Sequence, residues 1–190
     1  MKVMSGMQTK ETIVIDQELL VRSVTEATSE VFSTMLDMQV EYAGIVADAR
    51  PSPSALISLV GITGDWGGSG VFCCSPVLGA RICAQMLGGE FDPAQTSMTE
   101  EILDVVAEVT NMVVGNIKNG LEAVTGPLAI SVPTVIHGRN FQFRNSLGLK
   151  GVAVTFTTGE EQFEVRVSLA PTPEHDRSRP RIPVFGLAHI

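Results

Sequence analysis

The chain has 190 residues, 44% of them apolar and 18% charged, with 18 glycines, a 5% aromatic content and a net charge of -8. That is enough for one domain with a substantial core and too little for two ordinary domains, and the composition excludes global disorder. The acidic balance without a Lys/Arg cluster removes the footprint of sequence-independent nucleic-acid binding, no apolar run reaches bilayer or signal-peptide length, and the expected compartment is the cytoplasm.

Residues 1–16 read as an N-terminal extension ending at Asp16, a suitable cap for a first helix that carries Leu20, Val24, Ala27, Val31 and Met35 on one face and ends near Asp37. Three strand-like runs follow, Gln39 to Ala47, Ala55 to Gly61 and Gly70 to Ser75. Arg50-Pro-Ser-Pro separates the first two, and Gly64-Asp-Trp-Gly-Gly-Ser69 reads as a hairpin turn between the second and third. Ser75 and Pro76 form a cap and first-turn pair for a short helix containing Arg81 and Met86, closed by Gly88-Gly89. Thr96 or Ser97 is the expected cap of a long third helix that runs to about Val124, where Thr125-Gly126-Pro127 stops it.

Strands return over Leu128 to Ile136, Asn140 to Arg144, Val152 to Thr157 and Gln162 to Leu169, the last two joined through Thr158-Gly159-Glu160-Glu161. Beyond Pro171 the Pro-rich tail, residues 171–190, reads as extended or disordered, although Ile182-Pro-Val-Phe-Gly-Leu is apolar enough to dock. Each half therefore gives a helix and then three strands. The order predicts an α+β fold with a pseudo-twofold helix-plus-strands repeat and an antiparallel or mixed sheet.

Three cysteines, Cys73, Cys74 and Cys83, make no disulfide framework, and neither they nor His137, His175 and His189 have metal-ligand spacing. All three thiols read as small buried hydrophobes, and no metal site is expected. No nucleophile-elbow or phosphate-loop sequence is present.

The most informative stretch is Asp104-Val-Val-Ala-Glu108-Val-Thr-Asn111-Met-Val-Val-Gly115 in the third helix. At about 100° per residue, Asp104, Glu108, Asn111 and Gly115 fall within roughly 60° of arc, opposite Ile102, Val106, Val109, Val113 and Ile117. A polar stripe by itself is what any amphipathic helix shows. A glycine within it costs about 1 kcal/mol relative to alanine, which suggests that another backbone or a bulky surface approaches Gly115. The first helix offers Glu26-Ala-Thr-Ser29 in the equivalent place, with Arg22 positioned to pair with Glu26, and is read as structural.

The long helix resembles that of the CheX/CheC family of chemotaxis phosphatases, whose signature is an acidic or small residue, three residues, Glu, two residues, Asn, and a proline about twenty residues on. Here the matching positions are Asp104, Glu108, Asn111 and Pro133. Asn111-Met-Val-Val-Gly-Asn116, Ser33-Thr-Met-Leu36 and Gly64-Asp-Trp-Gly-Gly-Ser-Gly70 are similar to the family as well, and the likeness runs from Leu19 to Leu169 within a domain of residues 17–170. It implies two long helices packed on one face of the sheet. It also implies hydrolysis of the aspartyl phosphate on a CheY-like response-regulator receiver domain.

Under that resemblance Asn111 orients the attacking water, and Glu108 pairs with the receiver's lysine, with a general-base role left open. Asp104 extends the contact, with Gly115 on the same partner-binding stripe, and Pro133 shapes the strand edge. No cofactor belongs to this chain, since the receiver brings its own Mg2+. Trp66 reads either as a partner contact or as a hairpin residue folded over its own glycines. Two other readings stand beside hydrolysis: a non-catalytic, flagellar-switch-like module that binds a receiver, and a homodimer paired through sheet edges with an incidental polar stripe.

Overall fold

The computed structural model describes residues 15–46, 55–92, 97–139 and 149–172. The expected strand at Asn140 to Arg144, the tail beyond Thr172, most of the N-terminal extension and the Thr96 alternative for the third cap lie outside these residues.

Helix α1 (Gln17–Met35) begins where Asp16 accepts the Leu19 N–H at 2.8 Å. Strands β1 (Glu41–Ile45), β2 (Ala55–Gly64) and β3 (Trp66–Cys74) follow. Helix α2 (Pro76–Leu87) is capped by the Ser75 hydroxyl and closed by Gly88 in the left-handed region, φ 69°. Helix α3 (Glu100–Thr125) precedes β4 (Leu128–Ile130), β5 (Thr134–Gly138), β6 (Lys150–Thr158) and β7 (Glu161–Pro171).

The sheet runs β1-β6-β7-β3-β2-β4, with β5 also on β2, and every pairing is antiparallel. Exchanging the halves, so that β1, β2 and β3 take the places of β4/β5, β6 and β7, returns the same order, as a twofold repeat requires. The first strand of each half crosses to the second strand of the other half, and β3 and β7 meet at the centre. The short α2 breaks the symmetry. It packs with the two long helices into the same core, through Leu78 and Ile82.

One face of the sheet carries this core. Phe32 of α1 stacks on Phe163 of β7, ring centres 4.8 Å apart, and Phe163 also meets Phe72 at 5.4 Å and Phe156 at 5.3 Å. These contacts tie α1 to the middle of the sheet. Helix α3 lies over β2 and β3 through Val106, Val109, Val113, Val114 and Ile117, all fully buried.

Three local expectations need correction. Only Asp65 separates β2 from β3, and Trp66 to Ser69 already belong to β3, because Gly67, Gly68 and Ser69 pair with Ala170, Leu169 and Ser168 of β7. The cap of α3 is Thr99 and not Ser97, its hydroxyl accepting the Ile102 N–H at 3.3 Å and Glu100 and Glu101 following in the first turn, where the helix dipole favours them. The expected continuous strand at Leu128 to Ile136 is split at residues 131–133, where Pro133 has no N–H to give to a ladder.

Gly70 fixes how closely α3 approaches β3. A Cβ there would lie 2.5 Å from Val114 Cγ2 and 2.8 Å from its Cγ1, and a β-branched valine in a helix has little rotamer freedom to retreat. Gly70→Ala is therefore expected to cost about 1–3 kcal/mol in urea unfolding, with partial recovery when combined with Val114→Ala. An unchanged midpoint in the single variant would contradict this seating of the helix.

Candidate functional site

The rotation of α3 about its own axis decides which residues reach solvent. With the valine stripe under the helix, Asp104 and Glu108 are exposed, and Asn111 and Gly115 are half-buried at the boundary. Thr110, beside them, is fully buried and turns its hydroxyl back to the Val106 carbonyl at 2.7 Å, so it takes no part in the outer stripe. Among the described residues no hydrogen bond or ion pair engages the side chains of Asp104, Glu108 or Asn111. The four expected residues thus follow one line along α3, with Asp104 and Glu108 facing outward and Asn111 and Gly115 at its boundary.

The line has a neighbour on one side. Lys118 forms a 2.8 Å ion pair with Glu122 and donates to the Leu128 carbonyl at 3.3 Å, while Glu122 accepts the Leu128 N–H at 3.0 Å. The Lys118 hydrogen bond and the Leu128 N–H hold the Glu122 carboxyl below the usual range. This clamp ties the start of β4 to the last turns of α3. Farther along, a Cβ at Gly115 would meet Ile130 Cδ1 at 3.8 Å, an ordinary contact, so β4 runs back along the helix toward the Asn111 turn. Pro133 lies just beyond, half-buried between β4 and β5, which gives it the edge-shaping position expected of it.

On the other side lies α1. Asn116 donates to Glu30 at 3.3 Å and Gly120 sits beside Ser23, so the two helices run antiparallel. A groove of about 420 Å³ lies between them, lined by Arg22, Glu26, Glu30, Asn116 and Asn119 among others, away from the Asn111 line. Glu26 is exposed and Ser29 half-buried, as Glu108 and Asn111 are, and Thr28 turns back to the Val24 carbonyl at 2.7 Å as Thr110 does to Val106. The two helices share one local design. Ser29, however, carries a single short hydroxyl where α3 carries a two-sided amide. The expected Arg22–Glu26 ion pair is not formed, in keeping with the small worth of an exposed pair, and smaller still with the cation N-terminal.

Other candidates fall away. Trp66 is 8% exposed and packs in the core, which leaves little of its ring for a partner. Cys74 lies in the helix-covered core and Cys73 on the opposite sheet face with Ala55, Ile57 and Val71. Burial pushes the Cys73 thiol up to about 11 and raises Cys74 and Cys83 as well, which leaves them protonated and unreactive at neutral pH. Among the described residues no cluster of His, Cys, Asp and Glu is built to hold a metal, and no helix is long and apolar enough to cross a membrane.

A sequence profile described as "Chemotaxis phosphatase CheX" matches residues 56–157, more than half of the chain and inclusive of the whole α3 line and Pro133. The chain belongs to the CheX family. A CheX-family relative from Thermotoga maritima, a CheY-P phosphatase CheX, is 28% identical over 118 residues, which is 62% of this chain and 73% of the relative. The CheX fold is shared with the chemotaxis protein CheX of Vibrio vulnificus, with a TM-score of 0.67 at 21% identity over 80% of this chain and 96% of that one. It is shared likewise with the CheX of a Borrelia burgdorferi CheX–CheY–BeF3–Mg2+ complex, with a TM-score of 0.65 at 22% identity over 79% and 97% of the two chains.

Gly115 has room for a methyl group among the described residues, since a Cβ there would meet Ile130 Cδ1 at ordinary contact distance. Gly115→Ala is thus expected to stabilise the isolated protein by about 0.5–1 kcal/mol through helix propensity, read as a higher melting temperature. A loss of stability would mean that packing within the chain, and not an outside surface, demands the glycine.

Proposed function

We propose that this chain hydrolyses the aspartyl phosphate of a CheY-like receiver domain, with Asn111 orienting the attacking water. The observation that carries the reading is the side-chain amide of Asn111, held on a helix whose opposite face is buried and without a hydrogen-bond partner among the described residues. The Thermotoga relative's activity and the Borrelia complex supply the class of substrate.

In the reaction the water oxygen forms a bond to phosphorus while the bond from phosphorus to the carboxylate oxygen breaks. The products are a free aspartate and inorganic phosphate, which takes up the water's protons or passes them to solvent. Little covalent work is asked of the protein in such a transfer, so positioning and charge stabilisation dominate. The receiver supplies the acyl phosphate, a lysine and Mg2+; this chain adds no metal. A carboxamide accepts through oxygen and donates through nitrogen without ionising, so Asn111 holds a water in line at any pH near neutrality.

Glu108 stands one turn earlier on the same line. Its carboxylate meets the receiver's lysine and sets the docking register, a charge-assisted contact strengthened when the joined surfaces exclude water. Asp104 extends the acidic edge by another turn. Gly115, one turn beyond Asn111, leaves the partner's surface free to come close to the helix backbone.

The roles separate in kinetics. Asn111→Ala is expected to lower kcat on a phosphorylated receiver by about a hundredfold or more, with the dissociation constant changed less than about threefold. Glu108→Lys is expected to raise the dissociation constant at least about tenfold. Full activity in Asn111→Ala would remove the amide from the mechanism, and unchanged affinity in Glu108→Lys would remove the anchor. A wild-type chain that binds the phosphorylated receiver without shortening its lifetime would establish the binding module instead.

A further inference from the structure

The edge strand beside the Asn111 line carries an extra residue. β4 pairs with β2 in the register Ile62↔Ile130 and β5 in the register Leu59↔Thr134, so Ser131, Val132 and Pro133 stand opposite only Val60 and Gly61. Such a bulge re-aims a side chain, and bulges concentrate at sheet edges and next to functional sites. The side chain re-aimed here is Val132, 85% exposed, the most exposed large hydrophobic among the described residues.

The bulge is rigidly built. Ser131 donates its N–H to the Gly61 carbonyl at 2.9 Å, its hydroxyl accepts the Gly61 N–H at 2.9 Å, and the same hydroxyl donates to the Val132 carbonyl at 3.0 Å. Pro133 fixes the next φ. A lone exposed valine is ordinary on a protein surface; one presented on a doubly hydrogen-bonded bulge is already ordered, and loses little freedom when a surface closes over it.

Its position along α3 follows from the contact of Ile130 with Gly115. The four steps from Ile130 to Thr134 span only three of β2, so two of them advance about 5 Å, the rise of about three to four helical residues, which puts Val132 near the level of the Asn111 turn. That reckoning sets an apolar point at the level of the amide, with the carboxylates of Glu108 and Asp104 one and two turns away along the helix. Apolar centre and charged border are the usual anatomy of a specific interface.

We propose that Val132 is the apolar anchor that docks the receiver domain, closing over an apolar patch that borders the acyl phosphate while Glu108 meets the lysine. The proposal rests on the functional reading above. Its occupant is the receiver because the anchor is continuous with the Asn111 line, and a surface that reaches both Glu108 and Asn111 covers Val132 as well.

The test is the affinity of the full chain for a receiver loaded with BeF3 and Mg2+, which reports docking whether or not hydrolysis occurs, together with KM and kcat on the phosphorylated receiver. Val132→Asp is expected to raise the dissociation constant and KM about tenfold while kcat at saturation stays within about twofold, and Val132→Leu is expected to keep the dissociation constant within about twofold. Melting temperature and sedimentation should match the wild type in both variants. Unchanged affinity in Val132→Asp overturns the anchor, as does weaker binding accompanied by a changed oligomeric state, which assigns the residue to contacts between copies. If the wild type binds the loaded receiver but does not hydrolyse the phosphate, the catalytic reading fails while the affinity series still decides the anchor. A wild type that does not bind overturns both.

Discussion

The seating of α3 on β3 governs everything the molecule presents to a partner. Val114 rests where Gly70 has no side chain, and the fully buried Val106, Val109, Val113 and Ile117 lock the helix at one rotation. A turn of the helix by one residue, about 100°, would carry Asn111 under the sheet or into the groove against α1. The hydrophobic face is thus what aims the polar one, and the cost of burying an unsatisfied amide or carboxylate prevents the alternative.

The duplicated architecture sharpens the contrast between the two long helices. Both place a glutamate outward and bury a threonine that bonds back to a carbonyl four residues earlier. They differ where α1 has Arg22 and Ser29 and α3 has Asp104 and Asn111. They differ also in surroundings: α3 is bordered by the bulged β4–β5 edge and clamped to it through Lys118 and Glu122, whereas α1 borders the groove shared with α3. The same backbone design thus carries an amide on the helix bordered by the β4–β5 edge and a hydroxyl on the other.

Much of this was legible from local pattern. The 3.6-residue period of the valines placed Asp104, Glu108, Asn111 and Gly115 on one line opposite the core, the Ser75-Pro76 pair marked α2, and the helix-strand rhyme foretold the symmetric sheet. What was not legible depended on partners distant in the chain. Trp66 to Ser69 look like turn residues until β7, a hundred positions away, gives them a strand to pair with. The bulge at residues 131–133 emerges only when β4 and β5 are both laid against β2, since an alternating apolar run looks the same with or without an extra residue. Val132 was missed for that reason, and Pro133 was the signal that marked the spot.

The central claim is that the amide of Asn111 enters a reaction centre belonging to another protein. Its most direct measurement is the NMR signal of the side-chain NH2 groups in the 15N-labelled chain on titration with a BeF3- and Mg2+-loaded receiver. The Asn111 signal is expected to shift or broaden strongly while that of Asn116, tied to Glu30 on the flank of the groove, stays nearly in place. Saturated binding with Asn111 unmoved and Asn116 perturbed would put the partner on the other side of the helix and contradict the account.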